Sequence, residues 1–200
     1  MKTYDVTHIS GTPDWSAIPS VALEQHLWSA EHSIRPAAQL AWAEDGLYLR
    51  MQVQEDKIHS RYTGFADPVC EDSCLEFFFC PEEGSSRYFN FELNPNGAMY
   101  VGFGYPNGQR CRLYRTDWQS LLQWEPLTVP GGWGAQLRIP AAFVRIFVPG
   151  FTLESGCVLR GNFYKCGDQT ENPHFIAWNP VENPTPCFHM PQYFGALHLK

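Results

Sequence analysis

The 200-residue sequence contains no apolar run near the length of about 20 residues that crosses a lipid bilayer. Its N-terminal stretch, MKTYDVTHISGTPDW, lacks the apolar core of a secretory signal peptide. Basic side chains are also in deficit, with 14 Lys and Arg against 21 Asp and Glu, and they form no basic stripe. We therefore expect neither nucleic acid nor an anionic membrane as a partner. We expect a cytoplasmic protein, or a secreted one if a leader has been trimmed.

The seven cysteines include no C-x-x-C pair, which is a common spacing in zinc and redox motifs. Seven is an odd number and no secretory signal is seen, so free thiols in a reducing cytosol are favoured over disulfides. Helix-forming residues do not fall into long periodic runs, and we therefore expect little helix.

Aromatic residues make up 15% of the chain and recur between 16 glycines and 16 prolines, as in an all-β protein that turns often. We predict an all-β fold, a two-sheet antiparallel β-sandwich of the jelly-roll or immunoglobulin-like kind. It should form a single domain over residues 1–200, with an irregular N-terminal segment, 1–36, packed on it. One short helix is predicted inside that segment, at 21–28.

The clearest hairpin is QLAWAEDGLYLRMQVQED, in which Asp45-Gly46 gives the turn. Alternation along its second strand directs Leu47 and Leu49 to a core and Tyr48 and Arg50 to solvent. Residues 109–125 remain open between a pair of strands and a loop. Further strands, nine or ten in all, are predicted in DSCLEFFF, RYFNFEL, AMYVGFGY, GWGAQLRIP, VLRGNFYKC, HFIAW and FGALHL, with a short helical turn in PAAFVRIF.

The residues alone suggest four candidate sites, of which the first two are a catalytic thiol and a metal site. Cys166, Asp168 and His174 could be read as a thiol triad, but a strand end, a turn and a strand start explain them better. Cys187 and His189, with His174, could hold zinc, although no tight ligand pair is present. The acidic loops could hold calcium, yet they lack the spacing of an EF-hand and are more typical of solvated turns.

A third cluster consists of two carboxylates on strands that a turn makes neighbours. Glu76 and Glu92 could divide the acid and nucleophile roles of a glycoside hydrolase. On the polar face of a strand, however, Glu more often serves as a hydrogen-bonding or solvated group. An enzyme acting on glycosides is therefore the alternative rather than the leading hypothesis.

A sugar-binding platform is the fourth possibility, since sugars stack on aromatic rings and hydrogen-bond at their edges. In VLRGNFYKC, alternation directs Asn162 and Tyr164 outward and Phe163 to the core. Trp178 ends its strand before Asn179-Pro180, where its indole could be exposed. A buried core Trp is the competing interpretation, and the residues alone leave the two open.

In their order, GLYLRMQVQED, DSCLEFFF, YFNFELNPNG, GNFYKCGD, HFIAWNP and PQYFGALHL resemble the family 9 carbohydrate-binding modules and the wider DOMON-like group. This resemblance covers the chain from about Pro36 onward. It implies a β-sandwich that binds a mono- or oligosaccharide end in carbohydrate catabolism without catalysis. It also implies a sugar held between two tryptophans, with polar side chains around it and structural calcium ions. No Met and His pair matches the haem ligands of DOMON-like relatives, so no cofactor other than calcium is expected.

Carried over by position, the resemblance implies that Trp178 is one of the two stacking tryptophans and Glu76 the site glutamate. Asn90 falls near the position of a family arginine, and Tyr164 or Lys165 near a family glutamine. On this basis we predict that these five residues bind the saccharide.

The second stacking tryptophan of the family precedes the Asp72-Ser73 pair, where this chain has Val69. The clamp is then incomplete unless Tyr62 or Phe65 replaces it from the same loop. A sandwich that mediates protein contacts through its aromatic surface is the further alternative.

Overall fold

The computed structural model describes residues 1–30 and 33–200. Most of the regular secondary structure is β-strand, with 42% of residues in strands and 9% in helices. In the described residues the strands are β1 (Thr3–His8), β2 (Val21–Ala22), β3 (Gln25–Leu27), β4 (Arg35–Ala43), β5 (Gly46–Gln54), β6 (Cys74–Cys80), β7 (Tyr88–Leu93), β8 (Met99–Gly104), β9 (Arg110–Arg112), β10 (Glu125–Val129), β11 (Gly132–Pro140), β12 (Val158–Cys166), β13 (Phe175–Ala177) and β14 (Gly195–Leu199). The helices are α1 (Trp118–Leu122) and α2 (Ala141–Phe147), with 3₁₀ turns at Val69–Glu71 and Pro191–Tyr193. Neither α-helix has the length or apolar content needed to span a membrane.

The strands form one curled, mixed sheet in the order β10-β11-β5-β4-β1-β14-β12-β6-β7-β8-β9. Strand β2 pairs with β4, while β13 pairs with both β12 and β3. All pairings are antiparallel except those of β1, which runs parallel to β14 through its first half and parallel to β4 at its end. The predicted all-β class is confirmed. The predicted separation into two wholly antiparallel sheets is not confirmed, because β1 connects the two halves.

The prediction that residues 1–36 are irregular is wrong, because this segment contains β1, β2, β3 and the start of β4. Residues 31 and 32 lie outside the described residues. The helix predicted at 21–28 is also wrong, since β2 pairs with β4 and β3 with β13. Pairing with strands distant in sequence overrides the local helix preference here.

Strands β6, β7 and β12 have two buried faces rather than one buried and one polar face. Their first face packs in the main hydrophobic core with the β4–β5 hairpin, whose predicted inward residues are confirmed. Their second face carries a smaller cluster that includes Phe78, Tyr88 and Tyr164, against Phe188 and Phe194. The polar residues of these strands therefore lie beneath a cover supplied by the C-terminal part of the chain.

Candidate functional site

A cleft of about 200 Å³ lies on the second face of β6, β7 and β12. One wall is the sheet itself, and the other is the segment between β13 and the last 3₁₀ turn. The cleft is lined by Cys70, Glu76, Phe78, Glu92, Cys166, Asp168, Phe175, Pro186, Cys187, Phe188 and His189. A larger hollow, of about 330 Å³, lies on the other half of the sheet beside Trp15 and Tyr48. We place the site in the smaller cleft because buried ionisable groups converge there.

Strand register explains why the two glutamates meet. Glu76 on β6 lies directly opposite Glu92 on β7 and opposite Tyr164 on β12. Side chains alternate along each strand, so Phe78 follows Glu76 on the same face while Phe77 enters the main core. Both carboxyl groups are almost fully buried, with Glu76 3% and Glu92 6% exposed.

An aromatic wall faces these carboxyl groups. Phe188 stacks on Tyr164 with ring centroids 4.1 Å apart and meets Phe175 edge-on at 6.1 Å. Tyr164 and Phe188 are buried, whereas Phe175 is only half-buried. Phe175 is thus the aromatic ring of the cleft with free surface for a ligand.

Burial controls the protonation of the cleft. It raises the pKa of Glu76 well above the usual range and that of Glu92 to about 7. Partial desolvation at the rim raises the pKa of Asp168 to about 6. Burial lowers the pKa of His189 to about 4, and the neutral ring shares a 2.7 Å hydrogen bond with the Tyr88 hydroxyl. At neutral pH the cleft therefore contains the protonated carboxyl of Glu76 and the carboxylate of Asp168.

A polar network holds Glu92 in place. The Asn90 amide donates to Glu92 Oε1 at 2.7 Å, and Arg110 of β9 donates to the Asn90 side-chain oxygen. Gly102 leaves the space for this contact, because a Cβ there would lie 2.6 Å from Asn90 Oδ1. The predicted site residue Asn90 thus acts behind the cleft, as a buried link between Arg110 and Glu92, and does not line it.

The prediction that Trp178 is an exposed stacking residue is wrong. Its side chain is 3% exposed and packs in the main core against Tyr4 and Phe163, with ring centroids 6.5 and 5.7 Å away. Side chains alternate along β13, but its faces are the reverse of those that an exposed Trp178 requires. Phe175 lines the cleft, and Ile176 lies in the main core with Trp178. The cover that buries Trp178 comes from β1, in the segment predicted to be irregular.

Lys165 is also placed away from the cleft, contrary to prediction. It follows Tyr164 on β12 and so points to the opposite face, where it is fully buried. Its ammonium donates to Glu55 Oε1 at 3.1 Å, to the Cys166 carbonyl at 2.8 Å and to His174 Nε2 at 2.6 Å. Lys165 is therefore the buried counter-ion of Glu55, and its contact with His174 agrees with the structural interpretation of His174 that was preferred over a thiol triad.

The sequence profile of carbohydrate-binding family 9 matches residues 12–199 of this chain. The chain belongs to carbohydrate-binding family 9. Its structure is also similar to that of a proposed carbohydrate-binding protein from Bacteroides uniformis ATCC 8492. The two chains share 27% identity with a TM-score of 0.87, and the comparison covers 100% of this chain and 99% of that chain. No match was found among curated proteins.

Two solved family 9 modules from Caldicellulosiruptor kristjanssonii share the fold of this family 9 chain. One is a complex with glucose, at 14% identity and TM-score 0.72, covering 100% of this chain and 96% of that chain. The other is a complex with cellotriose, at 15% identity and TM-score 0.72, covering 100% and 94%.

The aromatic clamp of this family 9 chain differs from the one that resemblance implied. Val69 is fully buried in the second cluster, and its neighbour Cys70 lines the cleft instead. Tyr62 hydrogen-bonds Glu71 at 2.5 Å, and Phe65 packs against the main core, so neither replaces the missing tryptophan in the cleft.

Calcium requires six to eight oxygen ligands, and the donors found in this family 9 chain differ from that set. Over residues 1–30 and 33–200, the one group of three close His, Cys, Asp or Glu donors is Cys74, Glu76 and Cys166. Two of its three donors are sulfur atoms. This group is therefore not a calcium site, and the calcium that resemblance implied, whose ligands would include carbonyl and amide oxygens, stays a prediction.

Proposed function

We propose that this chain is a non-catalytic carbohydrate-binding protein that holds the end of a saccharide in the cleft. The observation that carries this proposal is the convergence of Glu76, Glu92 and Asp168 beside the half-exposed ring of Phe175. This arrangement replaces the predicted platform of Trp178.

The chemistry of the cleft matches that of a sugar rim. A sugar hydroxyl both donates and accepts hydrogen bonds, and a protonated carboxyl such as that of Glu76 does the same. The Asp168 carboxylate adds a strong acceptor at the rim, and Phe175 offers an apolar face to sugar C–H groups. Tyr164 supports this wall by stacking beneath Phe188.

The size of the cleft favours a terminal sugar over the middle of a chain. Its volume of about 200 Å³ lies below the roughly 300–1,000 Å³ of sites that enclose drug-sized ligands. One terminal ring would enter, and the rest of an oligosaccharide would extend into solvent. Because the two Caldicellulosiruptor modules are complexes with glucose and cellotriose, gluco-configured sugars are the first ligands to test.

A glycoside hydrolase using Glu76 and Glu92 is the second candidate, favoured by their direct cross-strand pairing. Such an enzyme needs one ionised carboxylate and one protonated acid on either side of the scissile bond. Here both groups project from one sheet face as cross-strand neighbours, which does not place them on opposite sides of a bond. This arrangement favours binding over hydrolysis.

Calorimetric titration with glucose, cellobiose, cellotriose and xylose oligomers tests the proposal. Phe175→Ala should weaken binding by about 1–3 kcal/mol, by analogy with base stacking on aromatic side chains. Glu76→Gln should largely keep the affinity, because its amide donates and accepts hydrogen bonds as the protonated carboxyl does. Tyr114→Ala is the matched control, because Tyr114 is 70% exposed and lies outside the cleft. Unchanged affinity in Phe175→Ala would contradict the proposal, and turnover of aryl glycosides abolished in Glu76→Gln would establish the enzyme instead.

Three further expectations belong to this proposal. All seven cysteines are free thiols, which supports residence in a reducing compartment such as the cytoplasm. We expect residues 1–200 to form one domain, in which the two halves of the curled sheet are the two layers of a jelly-roll sandwich. A role in carbohydrate catabolism would be supported if neighbouring genes encode glycan-processing enzymes.

A further inference from the structure

Four of the seven cysteines converge on the cleft from distant parts of the chain. Cys70, Cys166 and Cys187 line it, and Cys74 lies directly beneath, opposite Cys166 in the register of β6 and β12. These residues come from a 3₁₀ turn, two strands and the covering segment. Saccharide recognition as proposed above uses none of the four sulfur atoms.

Three donor atoms in this group are already close enough to share one ion. The sulfur atoms of Cys74 and Cys166 and a carboxylate oxygen of Glu76 all lie within 4.8 Å of one another. Cys166 Sγ is 2.9 Å from Glu76 Oε1. A tetrahedral zinc ion with bonds of about 2.0–2.3 Å would place its ligand atoms roughly 3.3–3.8 Å apart. Small side-chain rotations are sufficient to reach that geometry.

We propose that Cys74, Cys166 and Glu76 form a binding site for a soft divalent metal ion of the zinc class. Two thiolates and one carboxylate are a donor set for zinc, and thiolate sulfur disfavours calcium and magnesium. The fourth coordination position faces the cleft and is available to water or to a ligand. On binding, the two thiols and the protonated Glu76 carboxyl each release a proton to solvent, and two metal–sulfur bonds and one metal–oxygen bond form.

The charge distribution around the cleft supports a cation. Its lining includes Glu76, Glu92 and Asp168 and contains no Lys or Arg among the described residues. The nearest buried ammonium, on Lys165, points to the other face of β12 and donates to Glu55. The lining itself therefore supplies no positive charge, and the cations of Lys165, Arg110 and Arg112 act on Glu76 and Glu92 from outside it.

Cobalt(II) is the probe for this site, because cobalt–thiolate bonds give charge-transfer absorption and cobalt occupies zinc sites. Full-length protein, reduced with a phosphine and stripped with a chelator, is titrated with Co²⁺ and then with Zn²⁺. We expect one Co²⁺ per chain with charge-transfer absorption, and its displacement by Zn²⁺, which binds such sites more tightly. Zn²⁺ should also raise the melting temperature, because it binds the folded state.

Variants identify the ligands. Cys74→Ser and Cys166→Ser should each lose the charge-transfer absorption, whereas Glu76→Gln should keep it and bind more weakly. Cys111→Ser is the matched control and should behave as wild type, because Cys111 is exposed and lies on β9. Each variant is first checked for a native circular dichroism spectrum, and alanine versions replace any that fail to fold.

Two results would overturn the proposal: no charge-transfer absorption in the reduced wild type, or absorption that persists in folded Cys74→Ser or Cys166→Ser. The assay contains no sugar, so its outcome is independent of the saccharide proposal. Calorimetry on chelator-treated protein tests that proposal separately.

Discussion

Replacing Trp178 by alanine should destabilise the protein and leave its ligand affinity intact. The indole is 3% exposed and contacts Tyr4, Phe163 and the backbone of Gly195. A Cβ on Gly195 would approach the Trp178 ring to 2.4 Å, so the ring fills this space closely. Its removal therefore leaves a cavity in the main core and not a gap in the cleft.

The magnitude follows from the area that the indole buries. A buried Trp removes about 150–250 Å² from water, which at about 25 cal/mol per Å² is an upper estimate of roughly 4–6 kcal/mol. Observed Trp→Ala changes in cores cost about 3–5 kcal/mol. For a chain of this size, each kcal/mol lowers the melting temperature by about 2–4 °C. We expect a decrease of roughly 6–20 °C.

Thermal and urea denaturation measure the effect, and calorimetry below the melting range measures affinity per folded molecule. Phe175→Ala is the converse variant, because Phe175 is half-buried at the cleft and should cost affinity with little loss of stability. A Trp178→Ala protein that melts within about 2 °C of wild type but no longer binds sugar would refute this reasoning. It would restore Trp178 as the stacking residue.

Two other perturbations test buried charges. Lys165→Met should destabilise the protein by about 3–5 kcal/mol in urea denaturation, because it leaves Glu55 buried without its counter-ion. Lys57→Met is the control: it breaks an exposed ion pair and should cost under about 1 kcal/mol. Equal losses of stability in the two variants would contradict the role of Lys165 as a buried counter-ion. Burial raises the pKa of Glu92 from 4.5 to about 7, so the folded state holds this proton more tightly than the unfolded chain does. The resulting stabilisation, about 3 kcal/mol, is complete below the unfolded pKa and is lost as the pH rises through 7. Chelator-treated Glu92→Gln should show a shallower decline between pH 4.5 and 8, with the remainder coming from Glu76 and Asp168, whose pKa values burial also raises. An unchanged decline would contradict the assignment to Glu92.

Local patterns were sufficient to predict the hairpins of the fold. The turn predicted at Asp45-Gly46 lies one residue earlier, at Glu44-Asp45, and the alternation through Leu47 and Leu49 gave β4 and β5 with the correct core face. The alternation of Phe89 and Phe91 gave β7 in the same way. Each of these strands pairs with a strand that is next to it in the sequence, so a short stretch of sequence is enough to predict the pairing.

The cleft depends on contacts that no short window contains. Tyr4 of β1 covers Trp178, and without that strand the sequence cannot show which face of β13 is buried. The segment around Phe188 covers the outer face of β12, which alternation alone presents as solvent-exposed. Glu76 was identified both from its pairing with Glu92 and from the resemblance, whereas placing the Trp178 side chain at the surface left Phe175 unidentified.

The metal-binding group was missed for a related reason. Cys74 and Cys166 are far apart in sequence and belong to no recognisable ligand spacing. They become neighbours only through the pairing of β6 with β12. Strand register, and not motif, creates this donor set.

The parallel pairing of β1 with β14 joins the first strand of the chain to the last. During synthesis β1 emerges well before β14 and cannot pair with it until the intervening strands have been made. Strand β12, which carries Tyr164 and Cys166, also pairs with β14. High contact order of this kind slows folding and leaves edges exposed in intermediates. Completion of the sheet beside the cleft therefore comes late in folding, and nascent chains should depend on chaperones more than the local hairpins suggest.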